Sequence, residues 1–240
     1  VLGIIVFSAY ALVFISNKWL KIALAIAIIV LSTTLGHSSA FLSVFGVTAM
    51  YFILRIPRLI KIIGAVLTIV AVIAFILFLP QFSDNNAEWR LVFWQYSLKE
   101  IITDYYGFIG HGFGVPYTNL EILEMLRERA NSPWFEVRPE ETYLSPMHNG
   151  FITVAFHVGL IPSLLIFVPL VVPFKRVVFK DHKLRNKDED FLMLSLIGLF
   201  IWVSFNVVLA LPHTSAFIWL VYFSLIYQFS PTTKEQQIEA

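Results

Sequence analysis

The chain has 240 residues, of which 58% are hydrophobic and only 14% charged, with a mean hydropathy of +0.77. Soluble domains carry about 25% charged residues, so this composition predicts an all-α, polytopic integral membrane protein and excludes a separate soluble catalytic domain. A net charge of +1 gives no basis for nucleic-acid binding, and the lack of cysteine excludes disulfides, thiolate zinc sites and cysteine nucleophiles.

A spanning helix takes about 20 apolar residues. Apolar runs of suitable character fall at roughly 1–16, 19–36, 39–54, 60–80, 148–173, 191–210 and 213–229, giving about seven transmembrane helices. The second and third are joined by a tight turn at Gly36-His37-Ser38-Ser39. Val1 already lies inside an apolar run, without Met or a basic leader, so the chain reads as a C-terminal portion of a longer protein with its first span clipped. The expected organisation is a group of helices over 1–80, a large loop over 81–147, a second group over 148–229 and a cytoplasmic tail over 230–240.

Lysine and arginine set the orientation. Lys18 and Lys21 flank one connection, and Arg55, Arg58 and Lys61 another. Lys175, Arg176, Lys180, Lys183, Arg185 and Lys187 fill a third, and Lys234 lies in the tail. Alternating spans put all of these on one side, the cytoplasm. The large loop, with Arg90, Lys99, Arg127, Arg129 and Arg138 against ten acidic residues, then faces outward.

The loop carries amphipathic helices. Asn85 with Glu88 forms a capping-box signature, and Leu91, Trp94, Leu98, Ile101, Ile102 and Tyr105 follow near a 3.6-residue period. Arg90, Trp94 and Ser97 share a face of that helix. Gly107, Gly110, Gly112 and Gly114 end it in a turn with close backbone approach; no βαβ context supports a phosphate loop. Thr118 with Glu121 predicts a second helix running to about Ala130. Trp134, Phe135 and Tyr143 beyond it suit either sugar stacking or the membrane interface.

His148 opens the next span, after Pro146-Met147. An imidazole titrating near about 6.5 can take a proton from a hydroxyl at neutral pH, although a histidine at such a place also serves simple structural roles, as do His111, His157, His182 and His213. No histidine pair has metal spacing on a helix face and no carboxylate cluster accompanies them, so neither metal nor cofactor is expected.

The run Trp89-Arg90-Leu-Val-Phe-Trp94, continuing into Tyr106-Gly107-Phe-Ile-Gly110-His-Gly112-Phe-Gly114, resembles the large-loop signature of the O-antigen ligase and polysaccharide polymerase superfamily. So does His148-Asn149-Gly150-Phe151-Ile152 leading to His157-Val158-Gly159-Leu160-Ile161. The resemblance covers the loop and the span after it, and the flanking spans only in pattern. It departs where relatives often carry a Ser-Arg-small turn, since this chain has Gly36-His37-Ser38-Ser39-Ala40 there.

The resemblance implies a bacterial inner-membrane glycosyltransferase with its large loop facing the periplasm. Its donor would be an undecaprenyl pyrophosphate-linked glycan, and its acceptor lipid A core or a growing saccharide. His148 would be the base and Arg90 the group that holds pyrophosphate, with His37, Asn149 and Trp94 as further substrate contacts. A ligase and a polymerase share this donor and differ in acceptor. A transporter is the rival of a different class; it would place ionisable groups mid-span, where this sequence has chiefly Ser204 and Asn206.

Overall fold

A computed structural model describes residues 1–34, 38–56, 63, 67, 70, 85–130, 137–144, 147–179, 186–206 and 208–229. All regular structure among them is helical, as the apolar runs predict. The helices are α1 (Leu2–Phe14), α2 (Lys18–Thr34), α3 (Ser38–Ile53), α4 (Asn85–Thr103), α5 (Tyr105–Ile109) and α6 (Leu120–Ala130). They continue as α7 (Glu141–Leu144), α8 (Gly150–Val158), α9 (Leu160–Leu165), α10 (Val171–Phe179), α11 (Lys187–Val203) and α12 (Pro212–Gln228), with 3-10 turns at Val168–Leu170 and Val208–Ala210. The chain divides into two units, residues 1–72 with 168–202 and 212–240, and residues 73–167 with 203–211.

In the first unit α1, α2 and α3 pack on one another, with Ile5, Leu12, Leu42, Leu194 and Leu199 fully buried. Glycines set the closest approaches. A Cβ on Gly46 would strike the Ile201 side chain, and one on Gly198 would lie 2.6 Å from Ile5 Cγ2. Small residues let apolar helices come close enough for dispersion to hold them together. Arg55 pairs with Asp190 at 4.0 Å and Arg176 with Glu189 at 3.5 Å, in the first turn of α11, where the helix dipole also favours carboxylates. The Arg55 guanidinium lies 3.4 Å from the centre of the Tyr51 ring, whose hydroxyl accepts a hydrogen bond from Lys21 at 2.7 Å. Lys21, Arg55 and Arg176 thus gather around one end of α11.

The second unit is built on α4. Trp89, Phe93, Ile101, Leu126, Met147, Ile152, Ala155 and Phe156 form its core, so the residues expected as a loop and the start of the following span share one hydrophobic interior. α6 begins one residue later than Thr118 would place it. Asn119 accepts the Ile122 N–H at 2.9 Å and caps it, while Thr118 is buried with its hydroxyl lacking a partner among the described residues. The side chains of Asn85 and Glu88, the expected capping box of α4, lie outside the described residues.

The seven-span topology is not supported. Among the described residues one stretch, Leu160–Val177, is long and apolar enough to cross a membrane; Leu2–Phe14 and Ser38–Ile53 are apolar but shorter. The expected span 60–80 lies almost wholly outside the described residues. The expected span 148–173 is interrupted at Gly159, where φ is 97°, a conformation that ends a helix and suits glycine. The expected span 191–210 is likewise interrupted: α11 ends at Val203, a turn follows through Ser204–Asn206, and the chain resumes as a 3-10 turn. Ser204 and Asn206 therefore lie at a helix break rather than mid-helix, which suits polar groups that compete with the helical ladder.

Candidate functional site

Two helices position the site, both in the second unit. α4 contributes Trp89, Arg90 and Trp94 from its first half, and the segment that leads into α8 contributes Met147, His148 and Asn149. Phe93, one helical turn on from Arg90 and so on a neighbouring part of the same side of α4, is fully buried in the core that also holds Met147. That packing turns the Arg90–Trp94 edge toward the start of α8, which contacts α4.

His148 is held from both sides. The Trp94 indole N–H donates to the Met147 carbonyl at 2.6 Å. On the other side the Asn149 side-chain Oδ1 accepts the Phe151 and Ile152 N–H groups at 3.1 Å each, capping α8. Between these anchors His148 has φ 48°, the one non-glycine residue with positive φ among the described residues. Non-glycine residues in the left-handed region are uncommon and strained, and persist where their surroundings impose the conformation. Gly150 must lack a side chain, because a Cβ there would lie 2.7 Å from Val203 Cγ1 and 3.2 Å from the Asn206 carbonyl. Phe205 extends this support, with its ring centre 5.9 Å from that of Trp94.

Trp89 joins the two candidate residues. Its ring meets the His148 imidazole edge-on at 5.2 Å, and the Arg90 guanidinium lies 5.4 Å from its centre. Burial first, and the Arg90 charge second, push the His148 imidazole down to about 4, so the ring is neutral at pH 7 and keeps a lone pair. Burial also lowers the Arg90 pKa, yet a guanidinium stays charged across the physiological range. The Arg90 Nε is buried and has no hydrogen-bond partner among the described residues. Buried charged donors normally find partners, so this one is suited to an anion. The arrangement offers a fixed cation with an unused donor, a neutral base and an aromatic wall.

Of the expected site residues, Arg90, Trp94, His148 and Asn149 come together, and His37 lies outside the described residues. Asn149 and Trp94 direct the polar atoms named above to the backbone, which makes them positioning groups for His148 in this geometry. Sequence reading missed Trp89 as the shared neighbour and the 203–206 segment as support. The adjacency of Trp89 to Arg90 was the only signal for the former. His111 and His157 lie at the other end of α8. His111 bonds Asp104 and the Phe156 carbonyl, each at 3.2 Å, and His157 bonds the Gly112 carbonyl at 2.8 Å and the Tyr117 hydroxyl at 3.2 Å. Among the described residues no three His, Asp or Glu side chains converge as a metal site would require. No family model matches the chain, and no curated protein or solved structure is significantly similar to it.

Proposed function

We propose that the protein is a polytopic membrane glycosyltransferase of the O-antigen ligase type, acting on an undecaprenyl pyrophosphate-linked glycan at the outer face of the bacterial inner membrane. The observation that carries the reading is the Arg90–Trp89–His148 cluster, with a buried guanidinium N–H that has no partner among the described residues beside a neutral, strained imidazole. Membrane insertion is supported by large apolar side chains left exposed along helices of the first unit, among them Ile22, Ile26, Val30, Phe52, Leu220 and Phe223, a surface that water does not favour.

In the proposed reaction an acceptor hydroxyl attacks the anomeric carbon of the donor. The new C–O bond forms as the bond to pyrophosphate breaks, and pyrophosphate leaves with the electron pair. Arg90 holds the departing anion through its planar fork, and His148 takes the hydroxyl proton. The two roles are linked, since an anion at Arg90 offsets the positive charge that depresses His148 and raises the proton affinity of the imidazole when it is needed. The acceptor, lipid A core or the end of a growing saccharide, separates a ligase from a polymerase.

The test is glycan transfer by the intact protein in cells lacking their own surface-polysaccharide transferase. Arg90→Ala and His148→Ala should each accumulate unused lipid-linked donor while the protein still inserts, and Arg90→Lys should rescue poorly because an ammonium lacks the fork. Capped lipid A core in the wild type supports the ligase, and lengthened chains the polymerase. Normal transfer by both alanine variants would sink the proposal.

A further inference from the structure

We propose that α5 and the glycine turn after it form an interfacial foot that seats the second unit in the outer surface of the lipid bilayer. The inference rests on the membrane reading above and adds a surface that the reaction does not use. From Tyr105 to Val115 the chain reads Tyr-Tyr-Gly-Phe-Ile-Gly-His-Gly-Phe-Gly-Val, with no Asp, Glu, Lys or Arg. Its one titratable ring other than tyrosine, His111, is turned inward, stacked on Phe156 at 4.4 Å and bonded to Asp104. What faces out is apolar: Phe113 is 82% exposed and Ile109 58%, with Tyr106 and Phe108 beside them.

Three observations say what covers this face. First, α5 packs against α9, and α9 opens the span-length apolar stretch Leu160–Val177. The exposed Ile161, Leu164 and Leu165 of α9 continue the apolar surface of α5 without interruption by charge. Second, the two segments are locked at one level by backbone. The His111 and Gly112 N–H groups donate to the Phe156 and His157 carbonyls at 3.0 and 2.9 Å, and a Cβ on Gly159 would lie 2.6 Å from the Gly110 nitrogen. Third, the face carries the aromatic side chains of Tyr106, Phe108 and Phe113, and aromatic rings are favoured at the boundary between hydrocarbon and water.

The chain has no cysteine, so single cysteines report each position. Ile109→Cys and Phe113→Cys, with Val171→Cys in the apolar stretch and Glu128→Cys on exposed α6 as references, are labelled with an environment-sensitive fluorophore in phospholipid vesicles. Quenching is compared between doxyl lipids labelled near the headgroup, doxyl lipids labelled deep in the chain, and aqueous iodide. The expected result is deep-lipid quenching at 171, headgroup-level quenching with blue-shifted emission at 109 and 113, and iodide quenching at 128. Iodide quenching of 109 and 113 while 171 remains lipid-quenched overturns the foot and leaves the membrane reading standing. Shielding of 109 and 113 from every quencher also overturns it, since a protein surface would then be the cover. Iodide quenching at 171 removes the membrane reading and the foot together.

Discussion

The indole of Trp94 donates to the carbonyl of Met147 at 2.6 Å across 53 positions of sequence, and this one bond ties the amphipathic helix of the loop to the residue preceding His148. Met147 is fully buried, so its carbonyl has little water to fall back on. Trp94→Phe keeps an aromatic ring but strands that carbonyl, which costs about 1–3 kcal/mol. Thermal melting in detergent should show the loss. Transfer should fall about tenfold, equivalent to about 1.4 kcal/mol, with donor KM unchanged. Unaltered kcat at lowered stability would mean that His148 holds its place without this anchor.

His148 at φ 48° gives a second prediction. Left-handed backbone costs an ordinary L-residue roughly 1–2 kcal/mol that glycine does not incur. His148→Gly should therefore melt higher than His148→Ala by about 1 kcal/mol, reduced by the greater entropy of glycine in the unfolded chain. Both variants should lose transfer. Equal melting of the two would show that the backbone there is not strained.

The pH dependence of stability follows from the same residue. The imidazole titrates at about 4 in the folded protein and near about 6.5 in an unfolded chain. Between those values the unfolded chain binds a proton that the folded one refuses, so stability rises with pH across this window. The contribution is complete above about 6.5 and is lost as pH falls toward about 4. Melting temperature against pH should show that slope in the wild type, and His148→Gln should flatten it. Arg90→Ala removes the second cause of the depression and should raise the lower edge of the window; an unmoved edge would leave burial as the sole cause.

The glycines of the turn divide into two kinds. At Gly112 and Gly114 a Cβ meets nothing within 4 Å, and only their positive φ values of 84° and 89° oppose substitution. Alanine there should cost about 1–2 kcal/mol. At Gly110 and Gly159 the strain is joined by backbone in the way: a Cβ on Gly110 would lie 2.8 Å from the Gly159 nitrogen. Alanine at either should exceed the about 4–5 kcal/mol that marks a severe substitution, or prevent folding. Denaturation of the Gly112→Ala and Gly159→Ala variants side by side measures the difference, and comparable losses would refute the close crossing.

Local signals carried much of the helical framework. The apolar runs of α2, α3 and α12, the amphipathic period of α4 and the polar cluster that caps α6 each act within a few residues of themselves, so the sequence by itself determined that helices form there. It also placed four glycines in one turn between them. Which of two adjacent caps is used, Thr118 or Asn119, already depended on burial of the threonine. The break of the expected fifth span at Gly159 was beyond periodicity, because the apolar pattern runs straight through it while the backbone yields to the glycine turn crossing it. Tertiary structure alone decided that Trp94 reaches Met147, that Trp89 lies between Arg90 and His148, and that the 203–206 turn supports Gly150. Those relations join residues dozens of positions apart, and they are set by packing around Phe93, Met147 and Phe156. The shifted titration of His148 has the same origin, since burial and a neighbouring charge are properties of the folded surroundings and not of the histidine itself.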